Sequence, residues 1–232
     1  MPIICHRVNT IKELESIPDD CGVELDVRFD TATGRLYLCH DNSGPESINN
    51  CDYLDDYLKS FKFNPQRIVI FNIKDSGSVS PLGKGRDVEW ECIRLAAENG
   101  IPKSNYFLLD VEFPFIYFAT KAGVREIAVR FSEAEPKEQF LYFKNNDLEQ
   151  KVDWVLIDVN SELPLNVEVV NDLKGFRTCL VCPERWGRPD DIEAYAKKIA
   201  DLGMKLDAVM TKAKNVERWK ATGVVLNTRS TC

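Results

Sequence analysis

Two histidines and a closely spaced pair of carboxylates are the groups in this chain best suited to proton and ion chemistry. His6 and His40 are its only imidazoles. Each follows a short apolar run, so each is expected where a buried strand reaches the surface. Glu24 and Asp26 lie two residues apart in the stretch 21–41, CGVELDVRFDTATGRLYLCHD, with Val23, Leu25, Val27 and Phe29 at the alternate positions. A period of two places both carboxylates on one face of a strand and the apolar residues on the other. Residues 31–34 carry turn chemistry, and the run 36–39 brings His40 and Asp41 to the end of a hairpin. Two imidazoles that titrate near neutrality can take a proton from one oxygen and return one to another. Buried carboxylates require a compensating cation. Here that is either Arg28 and Lys74 in a ladder of ion pairs, or a metal ion.

The elements that must position these groups alternate along the chain. Strands are expected over 2–5, 22–29, 35–39, 67–73, 105–111, 125–131, 153–159, 177–181 and 206–210. Helices are expected over 10–17, 51–61, 87–99, 114–121, 135–145, 165–173, 189–202 and 215–221. The segment 75–86, rich in Gly and Ser, reads as a loop. Gly100, Gly123, Gly203 and Gly223 each stand just past a helix and shortly before an apolar run, where a left-handed C-terminal residue is wanted. Strands apolar on both faces, joined by helices, pair in parallel through right-handed crossovers. Repeated over 232 residues, that pattern predicts a single (β/α)8 TIM barrel occupying 1–232 as one domain. An open doubly wound sheet would show a glycine-rich phosphate loop after its first strand, but His6, Arg7, Val8 and Asn9 stand there.

Barrel enzymes carry their chemistry at the C-terminal ends of the strands. The expected ends are His6 and Arg7; Glu24, Asp26 and Arg28; Asn72 and Lys74; Asp110 and Glu112; Arg130 and Ser132; Asp158 and Asn160; Glu184 and Arg185; Thr211 and Lys212. All are polar. Glu24, Asp26 and Asn72 precede further apolar residues, so they are expected inside the rim. Trp186, beside Gly187 in a loop, is either a pocket-lining residue or an exposed loop aromatic.

Composition bounds the partners. A formal net charge of −7 argues against nucleic acid or an anionic membrane as the main partner. No apolar run is long enough for a transmembrane segment, and no basic region followed by an apolar stretch opens the chain. A soluble, cytoplasmic protein is expected, with its oligomeric state left open. The eight cysteines read as small buried hydrophobes in a reducing compartment. Cys179 and Cys182 have CxxC spacing, but on a strand they face opposite ways, which disfavours a redox or zinc role.

The ordered set His6-Arg7, Asn9-Thr10, Glu24-x-Asp26, His40-Asp41 and Asn72-x-Lys74 resembles the glycerophosphodiester phosphodiesterases. It also resembles their wider superfamily, which includes phosphatidylinositol phospholipase C and sphingomyelinase D. Residues 3–75 carry the likeness. The short spacing from His6 to Glu24 and the form His6-Arg7-Val8-Asn9 stand closer to the sphingomyelinase D branch. The resemblance implies a metal-dependent phosphodiesterase that cleaves a glycerophosphodiester or related small phosphodiester. It implies that His6 and His40 are the acid/base pair, that Glu24 and Asp26 are metal ligands, and that Lys74 contacts the phosphate. Asn72 stands where the family has a third acidic ligand. Its amide oxygen can still ligate Mg²⁺ or Ca²⁺, but holds the ion less tightly. Arg7 and Lys74 are expected to take up charge in the transition state, with Arg130 and Trp186 on the substrate's side of the rim. The alternative is a degenerate member that kept the barrel and both histidines and binds a phosphorylated ligand without turnover.

Overall fold

The computed structural model describes residues 2–41, 48, 50–75, 88–145 and 151–224. Its strands are β1 (Ile3–Cys5), β2 (Gly22–Asp30), β3 (Arg35–Leu38), β4 (Val69–Ile73), β5 (Tyr106–Leu109), β6 (Ala128–Phe131), β7 (Trp154–Ile157), β8 (Arg177–Val181) and β9 (Ala208–Thr211). The α-helices among the described residues are α1 (Ile11–Leu14), α2 (Leu54–Ser60), α3 (Val88–Glu98), α4 (Phe113–Lys121), α5 (Glu138–Asn145), α6 (Val167–Asp172), α7 (Ile192–Asp201) and α8 (Val216–Ala221). The hydrogen-bonded order is β5-β4-β2-β1-β9-β8-β7-β6, with β3 antiparallel to β2. An isolated parallel bridge, Leu108 to Ile127, joins β5 to β6 and closes eight parallel strands into a single (β/α)8 TIM barrel.

Alternation along the strands makes two apolar layers. Ile4, Ile70, Phe107, Trp154, Leu156 and Met210 are among the residues filling the barrel. Their neighbours Cys5, Val23, Phe71, Leu108 and Val155 face the helices. The helices present matching stripes: on α7, Ile192, Tyr195, Ala196 and Ile199 are buried at the spacing that aligns one helical face. Gly22 is required by packing, because a Cβ there would lie 2.2 Å from the Ile68 carbonyl oxygen.

Most elements end inside their expected bounds, but β2 runs one residue further to Asp30, β9 one further to Thr211, and α4 starts one earlier at Phe113. The helix expected over 10–17 is one α-turn, stopped after Leu14. Its start is the expected one: the Thr10 hydroxyl accepts from the Glu13 amide, and the Glu13 carboxylate accepts from the Thr10 amide at 3.0 Å. The helix expected over 189–202 opens with a 3-10 turn, Pro189–Asp191. All four joint glycines have φ between 63° and 85°. Beyond Asp75, the expected loop over 75–86 lies outside the described residues.

Candidate active site

Register places the acidic pair. Asp26 of β2 lies opposite Asn72 of β4, and Glu24 opposite Ile70. Both carboxylates are fully buried. Glu24 accepts from the Arg7 amide at 2.8 Å and from the Asn72 side-chain NH2 at 2.7 Å. Asp26 and Asn9 are tied reciprocally: Asn9 Nδ2 donates to Asp26 Oδ2 at 2.8 Å, and the Asp26 amide donates to Asn9 Oδ1 at 2.8 Å. Lys74 Nζ lies 3.1 Å from Asp26 Oδ1 and 3.9 Å from Asp110. Burial, reinforced by Asp26, pushes the Glu24 carboxyl up to about 7, against the opposing pull of Asn72, the Arg7 amide and Lys74. The pair is therefore short of positive charge.

Arg7, next to His6 in the chain, links it to the second histidine. His6 continues β1, its amide donating to the Thr211 carbonyl at 2.8 Å, and its Nε2 is 3.8 Å from Glu24 Oε2. Burial, then the charges of Arg7, Arg185 and Lys212, hold its pKa down to about 4, against the attraction of Asp26. Arg7 adopts φ 58°, a left-handed conformation costing a non-glycine residue roughly 1–2 kcal/mol. That turn aims its amide at Glu24 while its guanidinium lies 2.5 Å from His40 Nε2. His40 Nδ1 is 2.6 Å from Asp41 Oδ1. The network assigns the tautomer: an arginine can only donate, so His40 Nε2 accepts and Nδ1–H faces Asp41.

Arg28 departs from the expected ladder. It contacts neither Glu24 nor Asp26, because it reaches along the hairpin instead. It donates to the Cys39 carbonyl at 3.0 Å, the His40 carbonyl at 2.9 Å and Asp75 at 2.7 Å. Its role is to hold the backbone that carries His40.

The opposite rim is organised by Asp158, whose side chain is almost completely buried. It accepts from Arg130 at 2.8 Å, Arg185 at 2.7 Å, Trp186 Nε1 at 3.0 Å and the Val159 amide at 2.8 Å. Arg130 also grips Asp110 with two hydrogen bonds, of 2.6 and 2.9 Å. Trp186 remains 44% exposed, with the Arg185 guanidinium 5.0 Å from its ring centre.

This barrel has the proportions of known phosphodiesterase structures. A glycerophosphodiester phosphodiesterase from Agrobacterium tumefaciens str. C58 superimposes with a TM-score of 0.63 at 15% identity, over 92% of this chain and 97% of that one. The chain has the glycerophosphodiester phosphodiesterase fold. A second enzyme of that name, from Parabacteroides distasonis ATCC 8503, gives 0.58 at 16% identity, over 94% of this chain and 97% of that one. No family model and no curated protein matches the sequence.

Within the glycerophosphodiester phosphodiesterase fold, the structure brings His6, Arg7, Glu24, Asp26, His40, Asn72 and Lys74 together through the contacts given above. Arg130 and Trp186 stand apart, joined to them through Asp110 and Lys74. Among the described residues no three His, Cys, Asp or Glu side chains are grouped to hold a metal ion. A cation would rest on Glu24, Asp26 and the neutral Asn72. Their chemistry suits a hard ion: all three offer oxygen, Lys74 is the one ammonium among the described residues in contact with the pair, and Asn72 Oδ1 is buried without a hydrogen-bond partner. Sequence reasoning did not foresee the Asp158 hub or the Asn9–Asp26 tie. Asp26, Arg130, Asp158 and Arg185 were visible as polar strand ends, but their partners lie 17 to 28 positions away.

Proposed function

We propose that the chain is a phosphodiesterase that cleaves a small phosphodiester at the mouth of the barrel, with His6 and His40 as proton-transfer groups. The carrying observation is the placement of Arg7, whose amide and guanidinium touch Glu24 beside His6 and the Nε2 of His40. A phosphate drawn to Arg7 and Lys74 lies between the two imidazoles. His6 is unprotonated above about pH 4, so it accepts the proton of the attacking hydroxyl as the new P–O bond forms. His40, its Nδ1–H held by Asp41, takes up a proton from solvent at Nε2 when the Arg7 guanidinium turns to the phosphate, and delivers that proton to the departing alkoxide as the old P–O bond breaks. Arg7 and Lys74 hold the charge that builds on the non-bridging oxygens.

Glu24, Asp26 and Asn72 would hold a divalent cation, Mg²⁺ or Ca²⁺, which when bound supplies Lewis-acid polarisation of the phosphoryl group. Attack by water yields a linear monoester, and attack by a neighbouring substrate hydroxyl yields a cyclic phosphate; phosphorus NMR of the product reads which. No helix among the described residues is long and apolar enough to cross a membrane. The thiols of Cys5, Cys21, Cys39, Cys92, Cys179 and Cys182 suit a reducing, cytoplasmic setting.

The test is turnover of a chromogenic phosphodiester with Mg²⁺, with Ca²⁺ and with EDTA. A second reading, a barrel that binds a phosphorylated ligand without turnover, draws on the contact of Lys74 with Asp26, which already supplies one charge without a metal. Tight phosphate binding with no turnover under any of the three conditions would select it.

A further inference from the structure

Beside the histidines, the barrel has a second feature that the chemistry above does not use. β5 and β6 are the two ends of the hydrogen-bonded strand order, joined by the one bridge between Leu108 and Ile127. Past that bridge Asp110 turns into the left-handed region, with φ 59°, and the strands part. The gap is spanned by side chains, through the two hydrogen bonds between Arg130 and Asp110. Above it lies a cavity of about 440 Å³.

The cavity's lining is largely apolar: Val111, Phe113, Ile116, Val129 and Phe143 form its walls. Its polar end is the Arg130–Asp110 pair, and Asp110 is 3.9 Å from the Lys74 ammonium that contacts Asp26. Phe113 and Tyr142, with ring centres 6.2 Å apart, are 55% and 47% exposed, so the apolar space reaches the surface between α4 and α5. A ligand in this space would have an anion facing Lys74 and Arg130 and an apolar body extending away from the histidines. The volume falls within the ~300–1,000 Å³ usual for ligand pockets, and one flexible chain matches a narrow seam better than two.

The geometry points to an apolar subsite at the β5–β6 seam that takes a single alkyl or acyl chain carried on one alcohol of the phosphodiester. The substrate class is therefore a single-chain amphiphilic diester, dissolved as monomer. This inference rests on the phosphodiesterase reading for its head group and on the cavity for its tail.

The experiment is a series of 4-nitrophenyl alkyl phosphodiesters, from methyl to dodecyl, assayed at monomeric concentrations with wild type, Val111→Trp and Phe113→Ala. Each methylene entering the seam lowers KM about fourfold, equivalent to ~0.8 kcal/mol, until the cavity is full, and then the trend flattens. Val111→Trp, which fills the cavity, abolishes the trend while leaving turnover of the methyl ester near wild type. Phe113→Ala raises KM for the long esters alone. Turnover of all esters with a KM indifferent to length would overturn the subsite and leave the phosphodiesterase reading standing. If no ester turns over, that reading fails, and calorimetry with dodecyl phosphate against methyl phosphate decides the subsite separately. Tighter binding of the dodecyl compound, lost in Val111→Trp, upholds it, and equal binding ends it. Equal turnover of a two-chain diester in zwitterionic vesicles would overturn the single-chain assignment.

Discussion

His6 and Glu24 are neighbours whose surroundings push them in opposite directions. Burial keeps His6 unprotonated down to about pH 4, so kcat/KM should fall on the acid side near that value. Arg185→Met, which removes one of the charges depressing it, should move this limb upward. Glu24 holds its proton more tightly in the folded chain than in the unfolded one, with a pKa of about 7 against 4.5. Its stabilisation is complete below about 4.5 and is lost as pH rises through about 7. In EDTA, Glu24→Gln should therefore melt higher than wild type at about pH 8 and close to it at about pH 5. For turnover, His6→Ala and His40→Ala should each abolish activity with the fold retained, and the double variant should be little worse, since residues acting as one unit are non-additive. Asn72→Asp separates the two sources of positive charge. With a cation on the pair, the added carboxylate tightens Mg²⁺ or Ca²⁺ binding by calorimetry; with Lys74 alone, it lowers the melting temperature at every metal concentration and binding gains nothing.

At the scale of the elements, the site depends on short pieces held by side chains. The β2–β3 hairpin carries His40, and Arg28 ties its end to Asp75. Arg28→Met should leave the barrel folded and lower kcat about 10-fold to 100-fold through a misplaced imidazole, with KM for the short diester changed less. Gly22→Ala works on the strand itself, setting a methyl against the Ile68 carbonyl; a loss of about 1–3 kcal/mol or more in denaturant melts is expected. Much of this layer was legible in the sequence. The two-residue period at Val23, Leu25 and Val27 revealed β2, its buried acids and its apolar face, and the joint glycines marked four helix ends. The direction of Arg28 was not legible, because alternation assigns a side chain to a face but does not say which of several carbonyls and carboxylates it will reach. The 3-10 start at Pro189 was likewise hidden, since proline opens either kind of helix equally well.

For the whole molecule, the alternation of strands and helices was enough to announce a barrel, and the motifs between His6 and Lys74 were enough to find one half of its mouth. The other half was not visible, because Asp158 gathers Arg130, Arg185 and Trp186 from two different strand ends, and such a hub exists only once the barrel has closed. Closure itself is uneven. A barrel normally abolishes the unpaired strand edges through which sheets stick to one another. Here β5 and β6 remain edges in the hydrogen-bonding sense, brought side by side but laddered to each other only at Leu108 and Ile127. The Arg130–Asp110 clasp is therefore also a guard against self-association. Arg130→Met should drive the protein toward edge-paired or strand-swapped oligomers as its concentration rises, visible by light scattering, while the wild type stays monodisperse.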